Sequence, residues 1–160
     1  MKTYTLFQKI LAIGDTYEVR EGDSKEAVFT VRGKVLTFTP NLTLQKGKEG
    51  EKTHSLKGNF FKTKFTILNA TGEEMGTLVF PFIALKKSFT LTMGGNTYSA
   101  QGTLFAWNFN CNDSSGKTIF SIQKELAFRD KFTVNIDEKM PQEAVLLAAI
   151  AVDQRFFQQK

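Results

Sequence analysis

Apolar and polar residues alternate along most of this chain, in short runs that end at Gly, Asn or Asp. An alternation of period two places successive side chains on opposite faces, so each run predicts a strand with one buried face. Only a few residues separate the runs, whereas parallel strands need a connection of about a dozen residues, and the strands are therefore predicted to be antiparallel. The clearest runs span residues 17–20, 28–32, 65–68, 89–93, 107–110, 119–123 and 132–136, and weaker ones span 3–9, 35–38, 41–45, 54–57, 77–82 and 97–101.

Three segments repeat one pattern of strand, polar turn and strand. They read TYEVREGDSKEAVFTV, KFTILNATGEEMGTLV and WNFNCNDSSGKTIFSI. Their turns contain the residue types that tight hairpins require, and the Gly94-Gly95 pair is typical of a type I′ or II′ turn between two strands. Because the spacing of the repeats is irregular, the pattern favours one closed sheet of about twelve strands over a solenoid or a propeller.

Residues 144–152 read AVLLAAIAV, an apolar run that leaves no polar stripe on a helix. A helix that is apolar all round is buried all round, and this one is roughly 14 Å long, too short to span a bilayer. A barrel of about twelve strands is too wide for its own side chains to fill, so we expect this helix to thread it as the core. Pro141 and Glu143 suit the first helical turn. The alternative is a helix between two open sheets.

Composition and charge limit the class of protein. The 160 residues are enough for a single domain, taken here as residues 1–160, and 16 Phe favour strands. The one cysteine excludes an internal disulfide, and the N-terminus lacks an uninterrupted apolar signal segment, so a cytoplasmic protein is expected. The net charge of +5 is uneven, since six lysines and only two acidic residues lie between positions 46 and 64.

The C-terminal segment FTVNIDEKMPQEAVLLAAIAVDQRFF, with SIQKELAFRDK before it and the hairpin DTYEVREGDSKEAVFTVRGK near the N-terminus, resembles the LURP-one-related family. The resemblance runs from Tyr4 to Phe157 and includes a Phe-Arg-Asp turn at residues 128–130. It extends to the wider tubby C-terminal-like and phospholipid scramblase superfamily. It implies a twelve-stranded antiparallel barrel around a hydrophobic C-terminal helix.

The resemblance implies less about activity than about the fold. Tubby domains bind phosphoinositide head groups through basic residues, and scramblase relatives act at membranes with calcium, whereas most LURP-one-related proteins have no assigned biochemistry. This chain lacks the Pro-rich N-terminal extension and the palmitoylated cysteine cluster of the membrane-active relatives, and Cys111 lies in a predicted turn. No lipid anchor is therefore expected.

Residues able to carry catalysis are scarce. His54 is the only histidine and is expected to be a solvated residue at a strand end; together with one cysteine it is too few for zinc. The turn at residues 110–116 lacks the spacing of a calcium loop, and the Gly94-Gly95 turn precedes a strand, unlike a phosphate loop. We expect no catalytic residues, no metal, no cofactor and no enzymatic activity.

The remaining candidate is electrostatic: a lysine-rich surface could bind an acidic membrane or a phosphoinositide, because a lysine beside acidic lipid contributes about 1 kcal/mol. The alternatives are a solvated hairpin tip, and a protein-interaction or structural module without a ligand of its own. Nucleic acid is not expected, because the basic residues lack interleaved aromatic residues. The candidate residues are Lys46, Lys48, Lys52, Lys57, Lys62, Lys64, Lys86 and Lys87.

Overall fold

The computed structural model describes residues 1–11, 14–34, 37–83, 86–102, 107–124 and 130–157. These residues form a mainly β structure with a single C-terminal helix. The strands are β1 (Lys2–Leu11), β2 (Gly14–Glu21), β3 (Phe29–Gly33), β4 (Asn41–Lys46), β5 (Lys52–Gly58), β6 (Lys64–Asn69), β7 (Glu74–Val79), β8 (Ser88–Met93), β9 (Asn96–Gln101), β10 (Asn108–Asn112), β11 (Thr118–Lys124) and β12 (Lys131–Ile136), and the helix is α1 (Gln142–Phe156).

The twelve strands form a closed antiparallel barrel in which each strand pairs with its neighbours in sequence. Strand β1 closes the barrel against β12, in a register that places Lys2 opposite Ile136 and Phe7 opposite Lys131. Among the described residues, β9 and β10 have the fewest paired positions of any neighbouring strands, namely two. The predicted fold class is confirmed.

The antiparallel order makes successive connections alternate between the two ends of the barrel. The β12–α1 connection lies at one end, and the helix runs from there to the other, where Arg155 contacts the β5–β6 and β7–β8 connections. We call these the amino end and the carboxyl end of the barrel, after the helix termini that lie there.

The helix fills the barrel interior. All residues from Ala144 to Gln154 are buried, and the first cap position is Pro141, whose extended backbone starts the helix at the next residue. The strands supply the other half of the core through alternation: in β12, Phe132, Val134 and Ile136 point inward. A buried side chain of this kind contributes about 1.5–3 kcal/mol relative to exposure, which is why the apolar run is enclosed rather than left on the surface.

Several local predictions need correction. Residues 37–38 do not form a strand but lie in the β3–β4 connection, and residues 35–36 lie outside the described residues. Cys111 is not in a turn: it is in β10, with its side chain buried in the core. His54 is not at a strand end but inside β5, where it is half-buried. Residues 128–129 of the Phe-Arg-Asp turn also lie outside the described residues.

The Gly94-Gly95 turn is a hairpin turn as predicted. It joins β8 to β9, and its two glycines have φ angles of 59° and 79°. Positive φ at both central positions identifies the turn as type I′, the geometry that matches the twist of the flanking strands.

Candidate functional site

The structure divides the candidate lysines between the two ends of the barrel. Lys46 ends β4, Lys48 lies in the β4–β5 connection and Lys52 begins β5, all at the amino end. Lys57, Lys62 and Lys64 surround the β5–β6 connection, and Lys86 and Lys87 lie in the β7–β8 connection, both at the carboxyl end. Strand β5 alone separates Lys52 from Lys57, by roughly 17 Å at 3.3 Å per residue. The eight lysines therefore form two groups and not one surface.

The carboxyl end also carries large exposed apolar side chains. Phe38 is 91% and Ile83 is 87% exposed, and Phe60, Phe61, Phe82 and Trp107 are also exposed. All six lie in or beside connections at this end. We call these six residues, together with the basic residues of the same end, the carboxyl-end surface. The basic residues are Lys57, Lys62, Lys64, Lys86, Lys87 and Arg155. Exposed apolar residues are unremarkable singly, but a group of them on one end marks an interaction surface.

Three of these aromatic rings pack on one another outside the core. Phe61 makes edge-to-face contacts with Phe60 and with Phe82, with ring centroids 5.2 and 5.3 Å apart. The contacts join the β5–β6 connection to the β7–β8 connection. Each ring keeps more than half of its surface exposed, so the cluster forms an apolar tip and not a second core.

Most of the described acidic residues lie at the amino end of the barrel, away from the carboxyl-end surface. The described acidic residues at the carboxyl end are Asp15, Asp130 and the buried Asp153. The turns and strand ends at the amino end hold most of the others, which are Glu21, Asp23, Glu26, Glu49, Glu51, Glu73, Glu74, Asp113, Asp137, Glu138 and Glu143. The lysines at the amino end therefore share that end with many carboxylates, whereas basic residues outnumber acidic ones among the described residues of the carboxyl end.

The end of the helix holds the carboxyl-end surface in place. The Arg155 guanidinium donates hydrogen bonds to the backbone carbonyls of Phe61 at 3.3 Å, Pro81 at 3.2 Å and Phe82 at 3.3 Å. Lys62, whose φ of 57° is unusual for a side chain of this size, donates from Nζ to the carbonyl of Gln154 at 3.3 Å. Both apolar connections are thus fastened to the last turn of α1.

A cavity of about 310 Å³ lies between the β7–β8 connection and the end of the helix. Its lining includes Phe82, Ile83, Lys86, Lys87 and Arg155. The Lys87 ammonium lies over the rings of Trp107, Phe156 and Phe157, at 6.0, 5.8 and 5.1 Å from their centroids. Burial among these rings lowers the pKa of Lys87 below its ordinary value.

A buried polar cluster closes the core beneath this end. Lys124 Nζ donates to Asp153 Oδ1 at 2.8 Å, and the Tyr17 hydroxyl donates to Asp153 Oδ2 at 2.8 Å. Gln154 Nε2 donates to the Tyr17 oxygen at 2.9 Å. Burial and the Asp153 carboxylate hold the pKa of Tyr17 well above its ordinary value. The cluster anchors the helix terminus to β2 and β11.

The two side chains considered for nucleophilic or acid–base catalysis, Cys111 and His54, lie in different strands. Burial in β10 raises the pKa of the Cys111 thiol to about 12, so it is a poor nucleophile at neutral pH. Burial lowers the pKa of His54, partly opposed by Glu143 at the start of the helix. Within the described ranges, no group of three or more His, Cys, Asp or Glu residues is arranged to hold a metal ion.

The sequence interpretation missed most of the carboxyl-end surface. It selected the lysines by their spacing and did not single out Arg155 or the exposed aromatic residues. A signal was available: Phe60-Phe61 and Phe82-Ile83 are apolar doublets flanked by Asn or Pro, and two consecutive side chains cannot both face inward from a strand.

The comparisons with known proteins identify a family for this chain. The model of the family described as LURP-one-related matches residues 2–153, nearly the whole chain. The search of curated proteins found no significant match. In the part of the chain that the structure describes, α1 is too short to cross a bilayer, and no other helix offers a crossing.

Proposed function

Since this chain belongs to the LURP-one-related family, with its helix enclosed by its own strands, we propose that it docks on acidic membranes through the carboxyl-end surface. One observation carries the proposal: the exposed apolar side chains share one end of the barrel with the exposed residues Lys57, Lys64 and Lys86, and few of the described acidic residues lie at that end. The partner is a lipid surface containing anionic head groups. Binding is peripheral and reversible, and it needs no catalytic residue.

The two features supply complementary energies. A lysine near an acidic membrane contributes about 1 kcal/mol through electrostatics, and this contribution falls within a Debye length, about 8 Å at physiological salt. Aromatic side chains at the head-group boundary add apolar burial that salt does not screen. Stable attachment to a membrane generally takes two such signals, and the carboxyl-end surface presents both.

Co-sedimentation with vesicles tests the proposal. Wild-type protein should pellet with vesicles that contain acidic lipid and remain in the supernatant with neutral phosphatidylcholine vesicles, and rising salt should weaken the binding. The double variant Lys57→Glu/Lys64→Glu should lose most of the binding, because both residues are exposed at the carboxyl end. Replacing Phe60 and Phe82 with Ser should also weaken it while leaving the core unchanged.

The chain offers a matched control at its other end. Lys46→Glu/Lys48→Glu makes the same change in net charge, and both positions are exposed at the amino end. This variant should bind acidic vesicles as the wild type does. Equal losses in the two charge-reversal variants would mean that binding follows net charge and not the carboxyl-end surface. Absence of wild-type binding to every acidic vesicle would overturn the proposal and favour a protein-interaction module.

A further inference from the structure

A cleft of about 620 Å³ lies on the outer wall of the barrel, over strands β8, β9 and β10. It opens where, among the described residues, β9 and β10 pair at two positions only, Ala100 with Cys111 and Ser99 with Asn112. Ligand sites generally span roughly 300–1,000 Å³, so the cleft has room for a small molecule.

The wall beneath the cleft presents hydroxyl and amide groups. Strands β8 to β10 bury alternate side chains such as Phe89, Ala100 and Phe109 in the core, and the intervening side chains face outward. None of the residues in these three strands is charged, although charged residues make up 23% of the chain. The outward side chains that line the cleft include the hydroxyls of Ser88, Thr90 and Ser99 and the amides of Gln101, Asn108 and Asn110.

The strand register sets these groups in rows. Thr90 lies opposite Ser99, Ser99 opposite Asn112, and Ser88 opposite Gln101. Adjacent strands are about 4.8 Å apart, and successive outward residues of one strand are about 6.8 Å apart. A molecule of the size of one or two sugar rings can therefore reach several of these groups at once.

Most of these polar groups are not used by the fold. The Asn112 carbonyl accepts a hydrogen bond from the Thr118 hydroxyl at 2.8 Å. In the part of the chain that the structure describes, the side chains of Ser99, Asn108 and Asn110 make no hydrogen bond to another protein group. All three are exposed, so their donors and acceptors can bond to a ligand.

The chemistry of the described lining selects one class of ligand. A nucleic acid or an acidic head group would need cations, and none of the described lining residues is charged. A peptide strand would need a free sheet edge, whereas the described strands form a closed barrel and present a sheet face here. Hydroxyls and amides both donate and accept hydrogen bonds, as the hydroxyls of a sugar do. Pro81 adds an apolar side against which the C–H face of a sugar ring can pack.

We propose that this cleft binds a neutral carbohydrate, an uncharged sugar or short oligosaccharide. The site is independent of membrane docking, because it uses other residues and no charge. Its affinity should therefore not change between low and high salt, whereas binding to acidic vesicles should weaken.

Nuclear magnetic resonance titration of isotope-labelled protein tests the proposal. The probes are the neutral trisaccharides maltotriose, cellotriose and triacetylchitotriose, and a sulfated heparin trisaccharide serves as the charged comparison. At least one neutral probe should shift the side-chain amide signals of Gln101, Asn108 and Asn110. We expect a dissociation constant of about 1 mM, the affinity that about four net hydrogen bonds supply.

The variants locate the binding. Asn108→Ala/Asn110→Ala should weaken it about tenfold, and Ser99→Arg, which fills the cleft, should abolish it. The control Asn96→Ala/Thr97→Ala changes two exposed residues of β9 that are not among the described lining residues, and it should bind as the wild type does. Melting temperatures show that each variant folds.

Two results would overturn the proposal. One is that none of the neutral trisaccharides at about 10 mM, tenfold above the expected dissociation constant, shifts the signals of the cleft. The other is that binding is confined to the sulfated probe and is lost at high salt, which would mean recognition by charge. Either result would leave membrane docking standing, since the carboxyl-end lysines and aromatic residues are tested separately.

Discussion

Replacing Lys124 with Met is expected to destabilise the barrel by about 3–5 kcal/mol, because it removes the buried ammonium that forms an ion pair with the Asp153 carboxylate. The side chains of Lys124 and Asp153 are only 4% and 2% exposed, and their charged atoms are 2.8 Å apart. Asp153 also lies in the last turn of the helix, where the negative end of the dipole disfavours an anion. Lys124 offsets both penalties, and Met, with a similar volume, offsets neither.

The double variant isolates the charge from the packing. Lys124→Met/Asp153→Asn removes both charges, and the Asn carbonyl can still accept the hydrogen bond from the Tyr17 hydroxyl. Replacing both members of a buried pair by neutral groups is often neutral or stabilising, so most of the lost stability should return. In a domain of this size, 1 kcal/mol shifts the melting temperature by about 2–4 °C, so the single variant should melt roughly 6–20 °C below the wild type.

Urea unfolding followed by circular dichroism measures these differences at constant pH. Lys48→Met is the control for the substitution itself, since Lys48 is exposed and contributes its backbone carbonyl, not its ammonium, to the contacts seen. A Lys124→Met variant within about 1 kcal/mol of the wild type would refute the reasoning, since truncating a truly buried pair costs more. A double variant as unstable as the single one would show that packing, and not charge, is responsible.

Three further predictions concern the core and one turn. Ile150→Asp should yield no folded protein by circular dichroism, because the residue is fully buried among apolar groups, whereas Lys48→Ala should be neutral. Cys111 should resist iodoacetamide at pH 8 until denaturant is added. Its thiol has a pKa of about 12 in the folded protein and 9.0 in the unfolded chain, so the unfolded state loses the proton at lower pH. The free energy of unfolding should therefore fall as the pH rises above 9. Gly94→Ala should cost about 1 kcal/mol in urea unfolding and Gly94→Asn less, because Gly94 has a φ of 59°.

The fold was predictable because its signals are local. The alternation in residues 132–136 predicts a strand with one buried face, and the uniformly apolar run at 144–152 predicts a fully buried helix. Closure of the sheet into a barrel follows from the number of strands. The segment 35–38 shows the limit of such a signal. Lys34 already bonds through its backbone N–H to the carbonyl of Asn41, which ends the pairing of β3 with β4. Phe38 lies beyond that point without a strand partner among the described residues, and its side chain is exposed.

The site was less predictable because it depends on which connections share an end. Lysines 46 to 64 are close in sequence, and a stretch of 19 residues was therefore interpreted as one basic surface. Strand β5 runs along the barrel wall from Lys52 to beyond Lys57, so residues that are close in sequence lie at opposite ends of the barrel. Arg155 joins the second group only through the helix, a contact that no local pattern encodes.

The enclosed helix explains why apolar side chains remain outside a barrel that has a large apolar core. The helix already fills the interior, since all residues from Ala144 to Gln154 are buried, so Phe60, Phe61 and Phe82 have no space to enter. Arg155 then fixes the carbonyls of two of these residues, and the rings pack on one another. The same element that stabilises the core therefore holds an apolar tip in solvent beside several basic side chains. Such exposure is unfavourable for an isolated protein and becomes favourable when the tip meets a lipid surface.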